Sequence, residues 1–521
     1  MMKAHLVGGG LASLAAAAWL IRDAGFLAGN IRIYEASDGL GGAMALAGGP
    51  DTGYILPTGR VFEAQYRCAF DLLSMVPSVS DPSISIKDEI LAFNQRYGYF
   101  DRAHVLDRDL AVVHSAHFGL SVEDRLALLR LAIKSEAKLE GVRIEECFSE
   151  AFFSSEFWFL WAPLMGPLRQ HSALEMRRFI NRFLHLTADL SAMTMVYRTR
   201  YNQYDSIVRP IVDWLRRQGV ELITGAAVTN VEFAPSRNEI TAVGLEFVQG
   251  GRATKVEVGQ GDIVLVTNGS QTTDLCVGSM TQPPTLALTG RSFSLWQNLA
   301  RNRPEFGRPD VFFGEARVPD TKWVTFTVTT GDATFFELMT KLSGSEPGRG
   351  GFMTLRDSAW LLTLAIFHQP EFVGQPQDVM AWWGFGMRPD RLGDFIAKPM
   401  AACSGAEILD EVLQHLKFDA ARAAIIATST CIPCMLPYAN SVWMPRRRTD
   451  RPLATPKGST NFGFIGQFCE IPEDTIFTME YSVRSARQAV STLLGLSTTI
   501  PPVYQGQRDF EAVLQALKAM A

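Results

Sequence analysis

The stretch "AHLVGGGLASLAAAAWLIRDAG", residues 4–25, decides the fold. A short apolar run leads into three glycines, and an alanine-rich segment typical of a helix follows. A second apolar run, "NIRIYEA" at residues 30–36, carries an acidic residue at its end. This strand–helix–strand pattern predicts an α/β chain with a Rossmann-like nucleotide-binding domain.

The glycine turn has the spacing of a dinucleotide-binding fingerprint. Gly8 makes the tight turn, Gly10 lets backbone N–H groups approach a diphosphate, and Ser13 takes the third small-residue position. Glu35 is placed to accept a hydrogen bond from a ribose hydroxyl. The residues predicted to bind the cofactor are Gly8, Gly10, Ser13, Glu35, Gly41, Gly42, Gly59, Arg60, Gly269, Gly466 and Gln467.

Two later segments, "GDIVLVTNGS" at 261–270 and "NFGFIGQF" at 461–468, are also buried strands that end in glycine. They predict one doubly wound FAD-binding domain assembled from residues 1–80, 210–285 and 450–495. Residues 81–209 and 286–449 then form a mixed α+β substrate domain, and 496–521 form a small helical segment. FAD is preferred over NAD because a plain NAD domain is usually contiguous.

The composition is that of a folded enzyme. Among 521 residues, 47% are hydrophobic and 20% charged, and the net charge of -5 gives no reason to expect nucleic acid. Of the seven cysteines only Cys431 and Cys434 are close together, with no second pair or nearby histidine. We therefore expect buried free thiols in a reducing compartment and no metal site.

Both ends of the chain bear on its location. The first 20 residues mimic a signal peptide, but their three glycines favour a folded domain, and the protein is expected to be cytoplasmic. The C-terminal "DFEAVLQALKAMA" predicts a helix that packs one apolar stripe on the body. Contact with the inner membrane face or with a partner chain, such as a homodimer, is the alternative. The stripe consists of Phe510, Val513, Leu514, Leu517 and Met520.

Several long segments carry a resemblance to a known family. They include "HSALEMRRFINRFLH" at 171–185, "YNQYDSIVRPIVDWLRRQGV" at 201–220 and "PCMLPYANSVWMPRRRTDRP" at 433–452. The sequence resembles the bacterial oleate hydratases, once called myosin-cross-reactive antigens. The resemblance implies an FAD-binding protein that adds water to the cis double bond of an unsaturated fatty acid.

This chain departs from that family at both catalytic positions. The family's water-activating Glu follows a glycine–arginine turn, and here "PTGRVF" places Val61 there. The family's proton-donating Tyr lies in an "HSA…RRY" helix, and here Phe179 takes its place. Val61 and Phe179 are therefore assigned to the substrate pocket, with Asn440 and Ser441.

Three functions remain open. The first is a hydratase that uses other residues as acid and base. The second is an FAD-dependent desaturase or double-bond isomerase, in which Val61 and Phe179 exclude water from the reactive carbon of a fatty acid or acyl lipid. The third is an acyl-lipid-binding protein without catalysis.

Five residues are candidates for the missing chemistry. Glu63 and Tyr66 follow Val61 closely, but in a helix Glu63 would be turned about 200° away from it. His171 precedes Phe179 by about two helical turns. Tyr201 lies near Gln203, which by position matches a family residue of the substrate pocket.

The basic run Arg446, Arg447, Arg448 and Arg451 is the candidate anchor for a fatty-acid carboxylate. Contact with lipid headgroups and a solvated surface are the alternatives for these four arginines.

Overall fold

The structure, a computed structural model, describes residues 2–59, 61–236 and 238–520. Strands occur along the whole chain, from the first residues described to about position 465. They are β1 Ala4–Val7, β2 Ile31–Tyr34, β3 Ala47–Gly49, β4 Gly53–Ile55, β5 Phe62–Glu63, β6 Val105–Leu106, β7 Val196–Tyr197, β8 Glu221–Ile223, β9 Ala226–Phe233, β10 Ala242–Gln249, β11 Arg252–Glu257, β12 Ile263–Thr267, β13 Cys276–Val277, β14 Trp323–Thr330, β15 Phe352–Leu355, β16 Leu362–Ala365, β17 Met380–Gly386, β18 Ser429–Leu436 and β19 Phe462–Ile465.

The α-helices alternate with these strands. They are α1 Leu11–Arg22, α2 Arg67–Leu73, α3 Ile86–Tyr97, α4 Val122–Ile133, α5 Glu156–Met165, α6 Ala173–Arg182, α7 Arg209–Gln218, α8 Arg291–Ala300, α9 Val318–Thr321, α10 Thr334–Ser343, α11 Gly405–His415, α12 Arg422–Thr428, α13 Met479–Leu493 and α14 Phe510–Met520.

A parallel five-stranded sheet has the order β19-β12-β1-β2-β8. Its strands are almost entirely buried at the centre, because α1 and α13 pack together and against it. The predicted Rossmann-like α/β fold is therefore confirmed, with strands drawn from distant parts of the chain. The domain boundaries given above stay a prediction.

A second sheet of seven strands has the order β13-β18-β14-β17-β16-β15-β6 and is antiparallel except for the β15–β6 pair. Threonines of β14 hold the segment before the turn at 57–59, because the hydroxyls of Thr327 and Thr329 accept the N–H groups of Leu56 and Tyr54. Cys431 and Cys434 are buried free thiols on β18, as expected, and burial raises the pKa of Cys434 to about 12. A smaller antiparallel sheet has the order β11-β10-β9.

The C-terminal helix forms as predicted, but it packs with the opposite face. Ala512 and Ala516 are buried against the segment 184–189, whereas Phe510 is 82% exposed and Leu517 is 53% exposed. The small alanines allow a close approach, so the predicted packing is wrong for Phe510, Leu514 and Leu517, whereas Met520 of the same stripe is partly buried against the core. In the described part of the chain, no helix combines the length and the hydrophobicity needed to cross a bilayer.

Candidate functional site

The glycine turn after β1 has no room for side chains. Gly8 has a φ of +97°, and a Cβ atom there would lie 2.1 Å from the Thr267 hydroxyl oxygen. A Cβ atom on Gly9 would lie 2.4 Å from Leu40. The Gly9 N–H donates to the Glu35 carboxylate at 2.5 Å, which keeps that carboxylate beside the turn.

The ends of three neighbouring parallel strands share this backbone geometry. Gly8 follows β1, Gly269 follows β12 with a φ of +96°, and Gly466 follows β19 with a φ of +93°. Parallel strands place these ends at one edge of the sheet, where dinucleotides bind in this fold. Two buried polar groups at this edge, the Ser13 hydroxyl and the Asn268 amide, have no hydrogen-bond partner among the described residues. A bound dinucleotide such as FAD fits these features.

The remaining predicted cofactor residues have different outcomes. Gly41 and Gly42 lie against the glycine turn, since the Gly41 N–H donates to the Gly9 carbonyl and Gly42 has only backbone of Gly10 beside it. The Gln467 side chain instead bridges Phe477, Thr478 and Ser482, so its predicted contact with the cofactor is corrected to a structural role. Arg60 lies outside the described residues.

Three cavities meet at Gly59 and Phe352, which line all of them. We name each cavity by one lining residue: the Arg198 cavity has a volume of about 580 Å³, the Trp323 cavity about 520 Å³ and the Glu63 cavity about 660 Å³. A Cβ atom on Gly59 would lie 3.2 Å from the Trp383 ring. A side chain at position 59 would therefore press on Trp383, which lines the Arg198 and Trp323 cavities.

The Glu63 cavity brings together the two replaced positions and two of the candidates. Val61, Glu63, Tyr66 and Phe179 all line it. The chain is extended at β5, which pairs with β7, so residues 61 and 63 project to the same side. The segment is a strand and not a helix, so the condition under which Glu63 would turn away from Val61 does not hold.

Glu63 is held by three polar contacts. Its carboxylate accepts from Arg182 at 2.7 Å, from the Gln65 N–H at 2.7 Å and lies 3.2 Å from a ring nitrogen of His185. Burial opposes ionisation, but the His185 hydrogen bond and the Arg182 charge outweigh it and lower the pKa of Glu63. Glu63 is thus a buried anion in the cavity wall.

Tyr66 is the second polar group in this wall. Its side chain is 5% exposed, and burial together with the Glu63 charge raises the pKa of the phenol well above its ordinary value. The Arg182 guanidinium lies 5.9 Å from the ring centre. Tyr66 therefore stays protonated at neutral pH.

The Arg198 cavity holds the predicted Tyr201 and Gln203 and also charged groups that the sequence analysis missed. Arg198 is buried; one amino group of its guanidinium donates to the Tyr97 carbonyl, and its Nε has no partner among the described residues. Burial raises the pKa of Glu371 well above its ordinary value and so favours the neutral acid.

Three other predicted residues lie away from these cavities. Both ring nitrogens of His171 are taken up, one by the Leu168 N–H at 2.7 Å and one by the Asp320 carbonyl at 2.8 Å. Burial lowers the pKa of His171 to about 4. His171 is therefore a structural residue, and its predicted catalytic role is corrected.

Asn440 and Ser441 are fully buried, and neither lines any of the three cavities as described. The Ser441 hydroxyl donates to the Tyr438 carbonyl. Ser441 is thus part of the packed interior, whereas both amide atoms of Asn440 have no hydrogen-bond partner among the described residues. Their neighbour Ala439 lines the Trp323 cavity, so the assignment of Asn440 to the substrate pocket stays a prediction.

The basic run is divided between the interior and the surface. Arg446 and Arg451 are buried and pair with Glu175 at 2.7 and 3.1 Å, whereas the exposed Arg448 pairs with Glu140. The predicted carboxylate anchor is therefore wrong for the buried pair, because buried acids already neutralise those guanidinium groups.

The geometry agrees with comparisons to known proteins. A sequence profile of the MCRA family matches residues 1–491. The chain belongs to the MCRA family. This MCRA-family protein is 34% identical over 527 residues to an oleate hydratase of Streptococcus pyogenes serotype M49 (strain NZ131), covering 99% of this chain and 89% of the relative. It is 30% identical over 563 residues to a linoleate hydratase of Lactiplantibacillus plantarum, covering 99% and 98%. The predicted resemblance to the oleate hydratases is confirmed.

Solved structures show the same fold at low identity. The MCRA-family protein has a TM-score of 0.53 and 13% identity with a putrescine oxidase redesigned in its cofactor binding, over 95% of this chain and 98% of the other. It has a TM-score of 0.52 and 11% identity with an oxidoreductase from Methanosarcina mazei, over 94% and 100%. These likenesses support the Rossmann-like architecture and nothing more specific.

Proposed function

We propose that this MCRA-family protein is an FAD-binding enzyme that adds water to the cis double bond of an unsaturated fatty acid. Its relatives are named as oleate and linoleate hydratases. The observation that carries the proposal is the Glu63 cavity, where a buried carboxylate and a phenol line the same wall as Val61 and Phe179. The groups that the family uses at those two positions are thus available from neighbouring residues.

FAD would be held by the glycine turn at residues 8–10, by Glu35 and by the strand ends at Gly269 and Gly466. The backbone N–H groups at the start of α1 suit a diphosphate, and Glu35 can still accept a ribose hydroxyl because each carboxylate oxygen has two lone pairs. Bound FAD supplies a flat conjugated ring that can shape a cavity wall or accept electrons.

Tyr66 and Glu63 carry out the proposed hydration. The Tyr66 hydroxyl gives its proton to one alkene carbon, and a water oxygen held by Glu63 bonds to the other carbon. That water loses a proton to Glu63, and the proton returns to Tyr66. One water molecule is added and the enzyme is regenerated. The pKa of Glu63 is lowered and that of Tyr66 is raised, which matches an anionic base and a protonated donor.

Arg198 is the proposed anchor for the fatty-acid carboxylate. The free Nε of a buried guanidinium is available to a carboxylate oxygen. In its neutral form, Glu371 in the same cavity would not repel it. The hydrocarbon chain would then extend past Gly59 into the Glu63 cavity, whose lining is mainly apolar.

The test is a product analysis by mass spectrometry, after FAD-loaded protein is incubated with oleic acid without oxygen. We expect a product heavier by one water molecule. Glu63→Gln and Tyr66→Phe should each lower the rate by about 10²- to 10⁴-fold, the usual contribution of a positioned acid or base. Glu89→Gln and Tyr97→Phe are the matched controls, since neither residue lines the cavities as described. Unchanged rates in the Glu63 and Tyr66 variants would show that other residues act.

A desaturase or a double-bond isomerase is the second candidate function. It is favoured by the loss of a carboxylate at Val61 and a hydroxyl at Phe179, together with the engagement of Glu63 by Arg182 and His185. A product lighter by two hydrogen atoms would establish desaturation, and a product of equal mass with a moved double bond would establish isomerisation.

Peripheral contact with an anionic lipid surface is also proposed. The exposed apolar residues of α14 and α4 are spaced to lie on one face of each helix, and the two helices adjoin, since Arg125 donates to the Met520 carbonyl. Arg130, Lys134 and Lys518 are exposed beside this face. The apolar helix face consists of Val122, Leu126, Leu129, Ile133, Phe510, Leu514 and Leu517.

Flotation with phosphatidylglycerol vesicles tests this contact. The wild-type chain should float and the Leu129→Asp, Leu517→Asp double variant should not, whereas Val243→Asp, at an exposed site on β10, should behave as wild type. A homodimer through the same face is the competing outcome. Light scattering would show it as a doubled mass that the double variant loses, without vesicle binding.

A further inference from the structure

A group of two histidines and one carboxylate lies apart from the three cavities. His104 precedes β6 and is buried, Glu156 is the buried first residue of α5, and His114 is exposed in the segment between β6 and α4. One nitrogen or oxygen atom from each side chain lies within 4.8 Å of the other two. The set brings together residues from two distant parts of the chain, and His114 leaves it open to solvent.

The two buried members lack partners that would explain their burial. Neither ring nitrogen of His104 has a hydrogen-bond partner among the described residues, and the same holds for Oε1 of Glu156. The other Glu156 oxygen accepts the Ser115 N–H at 2.6 Å, which fixes the carboxylate's direction. Buried polar groups are normally satisfied, so the unpaired His104 Nε2 and Glu156 Oε1, which face each other at 3.4 Å, indicate a missing ligand.

The spacing suits a metal ion better than a direct hydrogen bond. His104 Nε2 and Glu156 Oε1 are 3.4 Å apart. Two ligands held tetrahedrally by zinc, at bond lengths of about 2.0–2.1 Å, are about 3.3–3.4 Å from each other. A nitrogen–oxygen hydrogen bond is usually about 2.7–3.2 Å long.

We propose that His104, His114 and Glu156 bind one divalent transition-metal ion of the zinc class, with water in the fourth position. Two imidazoles and one carboxylate are ligands that zinc takes, whereas magnesium and calcium prefer oxygen atoms alone. The sequence predicted no metal site because Cys431 and Cys434 have no second cysteine pair or histidine near them. These ligands are distant in sequence and form no short motif.

A second group, Asp394, Glu411 and His415, has similar composition but a different explanation. Both oxygens of Glu411 accept backbone N–H groups of residues 394–396. Its carboxylate is therefore satisfied as a clamp on that loop. This contrast makes the second group an internal control for non-specific metal binding.

The ion would fasten the segment after β6 to the first turn of α5. The other end of α5 carries Pro163 and Leu164, which line the Trp323 cavity. The site is therefore a structural clip behind the cavity wall, and it does not depend on the proposed hydratase activity.

The experiment is a calorimetric titration of the chelator-treated full chain with Zn²⁺. We expect one saturating equivalent, and His114→Ala and Glu156→Gln should each weaken the affinity at least tenfold. Co²⁺ should give the visible absorption of a tetrahedral site in the wild type and lose it in both variants. Zn²⁺ should also raise the thermal midpoint of the wild type.

His117→Ala and His415→Ala are the controls and should keep wild-type affinity. His117 is exposed three residues from His114, and His415 belongs to the second group. His114 is itself exposed, so its replacement leaves the packing intact even if a variant at a buried ligand misfolds. Absence of saturable binding, or equal affinity in wild type and His114→Ala, would overturn the proposal.

Discussion

Two buried carboxylate–arginine clusters use residues of α6, one near the start of the helix and one at its end. In the first, Glu175 pairs with Arg446 and Arg451, and the network continues through Arg178 and Glu470. In the second, Glu63 pairs with Arg182 and His185. Both are nearly inaccessible to solvent, but only the second lines a cavity.

The difference separates a structural cluster from a candidate chemical one. The Glu175 network joins α6 to the chain near β19 and has no substrate-sized space beside it as described. The Glu63 group has the same chemistry beside about 660 Å³ of cavity. A buried ion pair is weak evidence for function by itself. A cavity beside the pair makes it a candidate site, because a ligand in the cavity can contact the charged groups.

The largest effect expected is the loss of the Glu175 charge. Glu175→Gln leaves Arg446 and Arg451 buried with less compensation, and breaking a buried pair in this way costs about 3–5 kcal/mol. Urea unfolding should show this loss, while the protein that remains folded keeps its activity. Glu140→Gln, which breaks the exposed pair with Arg448, should leave the unfolding midpoint unchanged.

The second-largest expected effect is the loss of stability in acid, which should weaken the Glu175 network. Burial opposes ionisation, but Arg446, Arg451 and Arg178 outweigh it and lower the pKa of Glu175 from 4.5 to about 2. A lowered folded-state pKa stabilises the protein above pH 4.5, and this contribution is lost as the pH falls toward 2. Urea unfolding at several pH values should show a flatter decline in Glu175→Gln than in wild type. Parallel declines would contradict this assignment.

Glu63→Gln should cost less stability than Glu175→Gln. The loss of the Glu63 charge leaves one buried arginine, Arg182, without its counter-charge, whereas the loss of the Glu175 charge affects two, Arg446 and Arg451, so the smaller loss is expected at position 63. The variant should nevertheless lose the hydration activity proposed above. Equal losses of stability at positions 63 and 175, measured in urea, would remove the distinction between the clusters.

The smallest expected effect on stability comes from Tyr504, whose ring packs beside Arg182 of the Glu63 group. The Tyr504 ring lies 5.5 Å from the Arg182 guanidinium, and a contact of this type is worth about 0.5–1 kcal/mol. Tyr504→Leu should be less stable than Tyr504→Phe by that amount. Both variants lose the hydroxyl bond to Asp509, so their difference in thermal midpoint reports the ring alone.

The cofactor half of the molecule was predictable because its signals are local. The glycines at 8 and 10 and the strands at 31–34, 263–267 and 462–465 each follow from short patterns. The direction of the Glu63 side chain could not be predicted from a short pattern. It depends on the pairing of β5 with β7, which lies far along the chain.

Some residues were missed even though a signal existed. Arg182 lies three positions after Phe179 on α6, so the two share a helical face toward the same region. The packing of the C-terminal helix was predicted wrongly from its large apolar residues. Ala512 and Ala516 are buried, whereas Phe510, Leu514 and Leu517 are exposed. Size at the contact, not hydrophobicity alone, decided which side was buried.

The sheet order also has a consequence for synthesis. β12 pairs on one side with β1, and on the other with β19, which lies nearly two hundred residues later in the chain. On the ribosome, β12 must therefore wait with one edge unpaired while six strands of the seven-stranded sheet, β13 to β18, are made. A chain whose translation stalls in that interval would expose a parallel strand edge that invites aggregation. The nascent chain can complete its nucleotide-binding sheet only after residue 465 has been synthesised.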